Sequence, residues 1–334
     1  MRLRMRNPIH ATSNLVIHCP QNTPELRALG MQVALHMLMG RTKATIRVGI
    51  SGWRYKPWRG IFYPKDLRQK DELQYASRHV QVIEINGTFY SLQNADSFLQ
   101  WKSETPDDFL FAVKGSRFIT HMIKLKDPQQ AMANFLASGV LALGEKLGPI
   151  LWQLSPNWHF QADRVESFLK FLPKTGEDAA RIAADSDHRI KGRPWLDYKD
   201  VGTIRHAMEV RHPSFCCPEF IQMLRHYKVA SVVSDSANRF PVINDVTADF
   251  VYVRLHGHET LYSGGYPDDL LIDWAGRLRA WNKGMQTEGQ ALVDPTHKLP
   301  KRQRDVFVFF DNDAKVDAPK DAARLMELLS ESAN

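Results

Sequence analysis

Cysteine is scarce in this 334-residue chain: Cys19 and the adjacent pair Cys216-Cys217 are all it has. An odd count without regular spacing argues against a disulfide framework and fits a reduced, cytoplasmic protein. Cys-x-x-Cys and His-Glu-x-x-His are both absent, so neither a structural zinc nor a zincin site is signalled. Gly-x-Gly-x-x-Gly and the P-loop are absent too, which leaves no cradle for a nucleotide cofactor. No apolar run approaches the roughly 20 residues that span a bilayer, and no membrane partner is expected. Internal repeats and low-complexity tracts are missing, and with 43% hydrophobic and 24% charged residues the composition argues against disorder.

Acidic residues are nearly missing from one end. Up to residue 47 the chain holds Arg2, Arg4, Arg6, Arg27, Arg41, Lys43 and Arg47 against Glu25 alone, so +6 of the net +7 is local. The remainder is close to neutral, and its bulk charge does not point to nucleic acid. The same stretch carries an amphipathic helical pattern from about Pro24 to Met39 but no complete targeting signal. Residues 1–45 therefore read as an extension outside the fold, with Met37 or Met39 as better starts, in preference to a transit segment.

From residue 46 to residue 331, short β-rich runs alternate with helical patterns. The strand candidates are Ile46–Gly52, Val80–Asn86, Phe109–Lys114, Pro149–Leu154, Ile204–Arg211, Ala230–Asp235, Phe250–His256 and Asp305–Asn312. Between them, positions such as Leu270, Leu271, Trp274, Leu278 and Trp281 fall on one face of a helix. Eight alternations in a chain of this length predict an α/β fold, a single (β/α)8 TIM-barrel-like domain. A doubly wound open sheet is the alternative, weakened by the missing glycine fingerprint. The polar segment Lys174–Gly202 reads as an insertion between the fourth and fifth strands.

The apolar runs end in polar or aromatic groups: Trp53, Glu84, Lys114, Gln153, Arg211, Asp235, His256 and Asn312. Polar side chains gathered at the C-terminal ends of successive strands are what a barrel active site looks like in sequence. Side chains alternate faces along a strand, so Val82, Glu84 and Asn86 share a face, as do Ala207, Glu209 and Arg211, and Tyr252, Arg254 and His256. Lys114, Arg211 and Arg254 would then oppose Glu84, Glu209 and Asp235 at one mouth. Three against three can neutralise one another as a buried network. On the functional reading, Arg211, Arg254 and Lys114 hold a small anionic or polyhydroxylated ligand, Glu84 and Glu209 are acid/base groups, and His256 shuttles protons near neutral pH. Trp53, Asn86, His121, Gln153, Asp235 and Asn312 complete the candidate ligand-binding set. Balanced charge disfavours a di-metal carboxylate cluster. A single divalent metal on Glu84, Glu209, Asp235 or His256 is an alternative that is not favoured.

Aromatic residues crowd the early part of the barrel region. Trp53, Tyr55, Trp58, Phe62, Tyr63, Phe89 and Tyr90 could stack a sugar or a base, which keeps nucleic acid open as a partner, although packing accounts for most such groups. Tyr262 and Tyr266, on either side of Gly264-Gly265, could close over the mouth as a lid.

Several motifs run in a recognisable order. They are Gly49-Ile50-Ser51-Gly52-Trp53 with Trp58 and Phe62-Tyr63-Pro64, then Val82-Ile83-Glu84-Ile85-Asn86-Gly87-Thr88-Phe89-Tyr90 and Phe111-Ala112-Val113-Lys114. Ile119-Thr120-His121, Lys146-Leu147-Gly148-Pro149-Ile150-Leu151-Trp152-Gln153-Leu154, Glu209-Val210-Arg211-His212, Val253-Arg254-Leu255-His256-Gly257 and Phe310-Asp311-Asn312-Asp313 follow. Through these motifs the chain resembles the YecE-like family, domain-of-unknown-function family 72, from Ile46 to Leu329. The resemblance implies a TIM-barrel-like fold and supplies no activity. Two motifs depart from the family pattern: Leu154-Ser155-Pro156 stands where a double proline is frequent, and Asp311-Asn312 where Asn-Asn is common. Asp311 puts in doubt any role there that needs a neutral amide. The expected function is acid/base or hydrolytic chemistry on a small anionic or sugar-like metabolite at the mouth. Nucleic-acid processing and a non-catalytic ligand-binding barrel are the alternatives, and fold alone does not choose among them.

Overall fold

The structure, a computed structural model, describes residues 44–190, 192–287, 289–312 and 316–331. The helical pattern from Pro24 to Met39, and nearly all of the expected extension, lie outside the described residues, as does Asp313.

Eight parallel strands, β1 Ile46–Ser51, β2 Val82–Ile85, β3 Leu110–Lys114, β4 Leu147–Gln153, β5 His206–Glu209, β6 Ala230–Asp235, β7 Phe250–Leu255 and β8 Asp305–Phe310, pair in chain order. β8 returns to β1, from Val306 opposite Ile46 to Phe310 opposite Ile50, and the sheet closes into a barrel. That pairing excludes the open-sheet alternative. Among the described residues the helices are α1 Glu72–Ala76, α2 Gly87–Tyr90, α3 Ala95–Glu104, α4 Gln129–Ala137, α5 Ala162–Phe171, α6 Gly176–Ala183, α7 Pro218–Tyr227, α8 Asp268–Asn282 and α9 Asp317–Glu331. None is long and apolar enough to cross a membrane.

The strands are apolar on both faces because both faces are covered. One parity, including Val48, Ile50, Phe111, Val113, Val251, Val253, Val306 and Val308, packs into the large core beneath the helices. The other, including Val82, Ala112, Leu151, Ala207, Val232, Tyr252, Phe307 and Phe309, fills the barrel interior. Gly49 belongs to this inner parity, and a Cβ there would sit 1.7 Å from the Val82 carbonyl oxygen. Small residues at 49, 112 and 207 leave space for Tyr252 and Phe309, whose rings stack at 4.8 Å. One step further along the strands, the inner positions turn polar. That change of character marks the mouth.

The helix read from Leu271, Trp274, Leu278 and Trp281 is α8, and all four side chains are buried. Within the segment Lys174–Gly202, α6 buries Gly176, Ala179, Ala180 and Ala183 and packs against α4. The rest is strapped to α4: the Asn134 amide donates to Asp187 Oδ1 at 3.0 Å, and the Trp195 N–H donates to the Ala137 carbonyl at 3.0 Å.

Candidate functional site

The polar layer is organised around Arg254, which is 0% exposed. It stands at the inner parity of β7, above Tyr252, and three strands from different sides of the barrel bring carboxylates to it. Its Nη2 donates to Glu84 Oε1 at 2.8 Å and to Asp311 Oδ2 at 3.0 Å, and its Nη1 donates to Glu209 Oε2 at 2.9 Å. Glu84 also accepts from Tyr252 OH at 2.6 Å and Ser51 Oγ at 3.1 Å. Glu209 also accepts from Gln153 Nε2 at 2.9 Å and Arg211 Nε at 3.1 Å. Burial would raise the Glu209 carboxyl, but the Arg254 and Arg211 guanidiniums overcome it and hold the group well below the usual carboxylate range. Asp311 follows the same pattern: burial raises it, Arg254 and the His256 hydrogen bond pull it down, and it too is held ionised. The guanidinium occupies the centre on which all three carboxylates converge, which is where a metal bound by them would sit.

His256 follows Arg254 at the same parity and is also fully buried. Its Nδ1 lies 2.8 Å from Asp311 Oδ2, and its Nε2 lies 3.4 Å from Glu209 Oε1 and 3.3 Å from Arg254 Nη1. The imidazole is therefore fixed between two carboxylates. Above it, the loop after β7 turns back: Tyr262 N–H donates to the His256 carbonyl at 2.5 Å, and Tyr262 OH accepts from Arg211 Nη2 at 3.0 Å. Its ring meets His256 edge-on at 5.4 Å. Tyr266, by contrast, is tied to the barrel wall, its OH accepting from Gly257 N–H and its N–H donating to Asp321.

Lys114, the last residue of β3, is 8% exposed. Among the described residues its Nζ makes no ion pair or hydrogen bond; it lies 4.6 Å from the centroid of the Phe89 ring. Burial lowers its pKa from 10.5 to about 8, with the nearby Arg254 charge contributing. His121 stands on the π-helical turn Phe118–Met122 beyond β3, edge-on to Phe89 at 5.1 Å, with Nδ1 2.9 Å from Thr120 Oγ1. Burial, then the Arg211, Lys114 and Arg117 charges, lower it to about 4, so it is neutral at neutral pH.

Of the residues expected from sequence, Glu84, Lys114, Gln153, Glu209, Arg211, Arg254 and His256 converge, with His121 beside them. Asp235 does not join them. Val232 and Ser234 carry the inner parity of β6, and Asp235 points to the other side, 3.9 Å from His258. Asn312 is likewise outside: its amide donates to the Gly264 carbonyl and to Asp321 Oδ2, both at 2.8 Å, behind the barrel wall. Trp53 and Asn86 line a cleft of about 290 Å³ with Tyr55 and Trp101, at the ends of β1 and β2. Trp58 and Tyr63 of the expected aromatic rim are core residues, Phe62 packs against the core, and Tyr90 is exposed. Sequence reasoning missed Asp311 and Ser51 as members of the network, and it expected Tyr262 over the mouth without its contacts to His256 and Arg211. Two-residue periodicity counted on from Phe307 and Phe309 selects Asp311, and counted on from Gly49 it selects Ser51. Tyr262 depends on a loop turn that no period reveals.

Comparison with known proteins agrees with this architecture. The UPF0759 protein YunF of Bacillus subtilis is 24% identical over 298 residues, which is 85% of this chain and 94% of that protein. The UPF0759 protein YecE of Escherichia coli is 26% identical over 170 residues, about half of each chain (51% and 50%). Among solved structures, a DUF72 family protein of Thermotoga maritima superposes with a TM-score of 0.64 at 23% identity, covering 86% of this chain and 99% of that one. One from Enterococcus faecalis superposes with a TM-score of 0.60 at 15% identity, covering 86% and 96%. The family described as protein of unknown function DUF72 matches residues 47–334, so the chain belongs to the DUF72 family.

Proposed function

We propose that the barrel mouth is the active site of an enzyme that performs acid/base chemistry on a small anionic or polyhydroxylated metabolite. The observation that carries this reading is the unequal pairing of the three cations. Arg254 is compensated by three carboxylates and Arg211 shares Glu209, whereas Lys114 has no carboxylate partner among the described residues. So nearly buried an ammonium keeps only partial hydration in the free protein, and an anionic ligand would supply its counter-charge. Arg211, one edge of which is turned to Tyr262, would orient that anion.

The geometry redistributes the roles within this reading. Glu209, held ionised by two guanidiniums, is a poor proton donor at neutral pH; it acts as a weak base or as the anchor of Arg211 and His256. Glu84, hydrogen-bonded on both oxygens, fixes Arg254 in place. His256, clamped by Asp311, keeps Nε2 on the side of Glu209 and Arg254, where a proton could pass to a ligand. Lys114, with a pKa of about 8, is the group best matched to proton transfer near neutral pH.

A thermal-shift screen of wild type and Arg211→Met against carboxylic acids, sugar phosphates, sugars and short oligonucleotides tests the proposal. A ligand at about 100 times its dissociation constant adds about 2.7 kcal/mol to stability, a shift of a few degrees in a protein of this size. Stabilisation by a small acid or phosphate that is lost in Arg211→Met is the expected result. A response confined to oligonucleotides would move the reading to nucleic-acid binding.

A further inference from the structure

We propose that Lys114 is a covalent catalyst: its amine forms an imine with a carbonyl compound that carries a carboxylate or a phosphate. This inference rests on the anion-binding reading of the mouth and specifies its substrate class.

Three features of the site select this chemistry. First, Lys114 sits at the end of β3, at the inner parity, with its Nζ unpaired by any described residue and set against the Phe89 ring. A lysine that only stabilised the fold would be paired with one of the carboxylates nearby, yet all three converge on Arg254. Second, its surroundings raise the share of free amine. Burial, then Arg254 on β7, disfavour the ammonium; Glu84, Asp311 and Glu209 favour it; and the net result is a pKa lowered to about 8, so a fraction of the amine is free near neutral pH. Third, the groups required around an imine are present on other elements. Arg211 of the β5 end would hold the anionic substituent. Neutral His121 and the Tyr262 hydroxyl, both within the reach of the Arg211 charge, can relay protons.

The step balances without a co-reactant. The Lys114 nitrogen lone pair attacks the carbonyl carbon, a C–N bond forms, the nitrogen gives up one proton and the carbonyl oxygen takes one to give a carbinolamine. The nitrogen lone pair then expels that oxygen as water after a second proton transfer, leaving a protonated C=N bond. The iminium withdraws electrons from the adjacent carbon, so a C–H or C–C bond there can break and its electron pair is accommodated on nitrogen. A C–H bond gives its proton to the His121–Tyr262 relay, and a C–C bond releases its other fragment as a carbonyl compound or carbon dioxide. Return of a proton to the carbon restores the iminium, and addition of water then reverses the sequence and frees the amine. While the imine nitrogen is protonated, the carboxylate or phosphate held by Arg211 offsets its positive charge.

The test is reductive trapping on the full chain at pH 7.5. Wild type, Lys114→Arg and Lys114→Met are incubated with sodium cyanoborohydride and either pyruvate or dihydroxyacetone phosphate, then digested and mapped by mass spectrometry. The expected result is one reduced adduct on Lys114, formed at least tenfold faster than on any surface lysine and absent from both variants. The two probes distinguish a keto acid from a phosphorylated carbonyl compound. Melting curves with pyruvate and with lactate, which lacks the carbonyl, run in parallel and also report whether the variants fold. Lys114 unmodified by both probes overturns the imine. If lactate and pyruvate then stabilise the protein equally, the anion-binding reading stands without it; if no acid or phosphate stabilises the protein, both fall.

Discussion

The Lys114 ammonium has a pKa of about 8 in the folded barrel against 10.5 in an unfolded chain, so between these values the unfolded state binds the extra proton. Stability therefore rises with pH across that window, and below about pH 8 the full penalty of the buried charge is present. Lys114→Met removes the penalty. We expect it to stabilise the protein at pH 7 by on the order of 3 kcal/mol and to flatten the pH dependence between about 8 and 10.5. Chemical denaturation of both proteins at pH 7 and pH 10 checks this; a variant less stable than wild type at pH 7 would mean that the ammonium is well paired. Arg254→Met should behave in the opposite way. Its loss leaves Glu84 and Asp311 without a paired guanidinium and Glu209 with Arg211 alone, at a cost of about 3–5 kcal/mol. In wild type, Glu209 and Asp311 titrate below their unfolded values, so their contribution is present above the ordinary carboxylate range and is lost as pH falls through the depressed folded values. Without Arg254 the carboxylates gain from protonation instead, and the deficit of the variant should be smaller at pH 4 than at pH 7. Equal deficits at both would show that Arg254 contributes packing alone.

At the scale of elements, the loop between β7 and α8 connects backbone geometry to the site. Gly257 has φ +114, and a Cβ there would lie 2.3 Å from the Thr260 carbonyl oxygen and 2.9 Å from that of Ser263. The tight turn this allows is what returns Tyr262 to His256 and Arg211. Gly257→Ala should therefore displace the loop as well as weaken the fold, by about 1–3 kcal/mol for the strain alone. Chymotrypsin is expected to cut the variant near Tyr262 much faster than it cuts wild type; equal cutting rates would mean that the loop tolerates the side chain. The same element shows where sequence is readable and where it is not. All eight strands were legible because each is a short apolar run covered on both faces, and Glu84, Glu209, Arg211, Arg254 and His256 were legible because parity carries them inward. Asp235 and Asn312 come at the ends of such runs, like the residues that gather around Arg254, but one residue out of phase, and the next inner position of β8 is Asp311. The pairing of Arg254 with Glu84, 170 residues away, and the return of Tyr262 depend on barrel closure and on a left-handed turn. Neither leaves a local trace in composition or period.

On the scale of the whole molecule, most of the net charge lies in the stretch of chain that precedes the strands. The barrel closes between β1 and β8 within residues 46–310, and α9 packs on β1 and β8. Residues 1–43 hold six of the arginines and lysines against one acid. A chain beginning at Ala44 is therefore expected to melt within a few degrees of the full-length protein while its net charge falls from +7 to about +2. Binding to nucleic acid driven by counterion release weakens steeply with salt, in proportion to the phosphates neutralised. If the full-length protein binds oligonucleotides in this way, the shorter chain should lose that binding and keep its response to small acids and phosphates, because Lys114, Arg211 and Arg254 are retained. Fluorescence anisotropy with a labelled oligonucleotide at several salt concentrations, run on both chains, separates the two contributions. Undiminished, salt-sensitive binding by the shorter chain would place the nucleic-acid contact on the barrel and make Lys114 and Arg211 part of it.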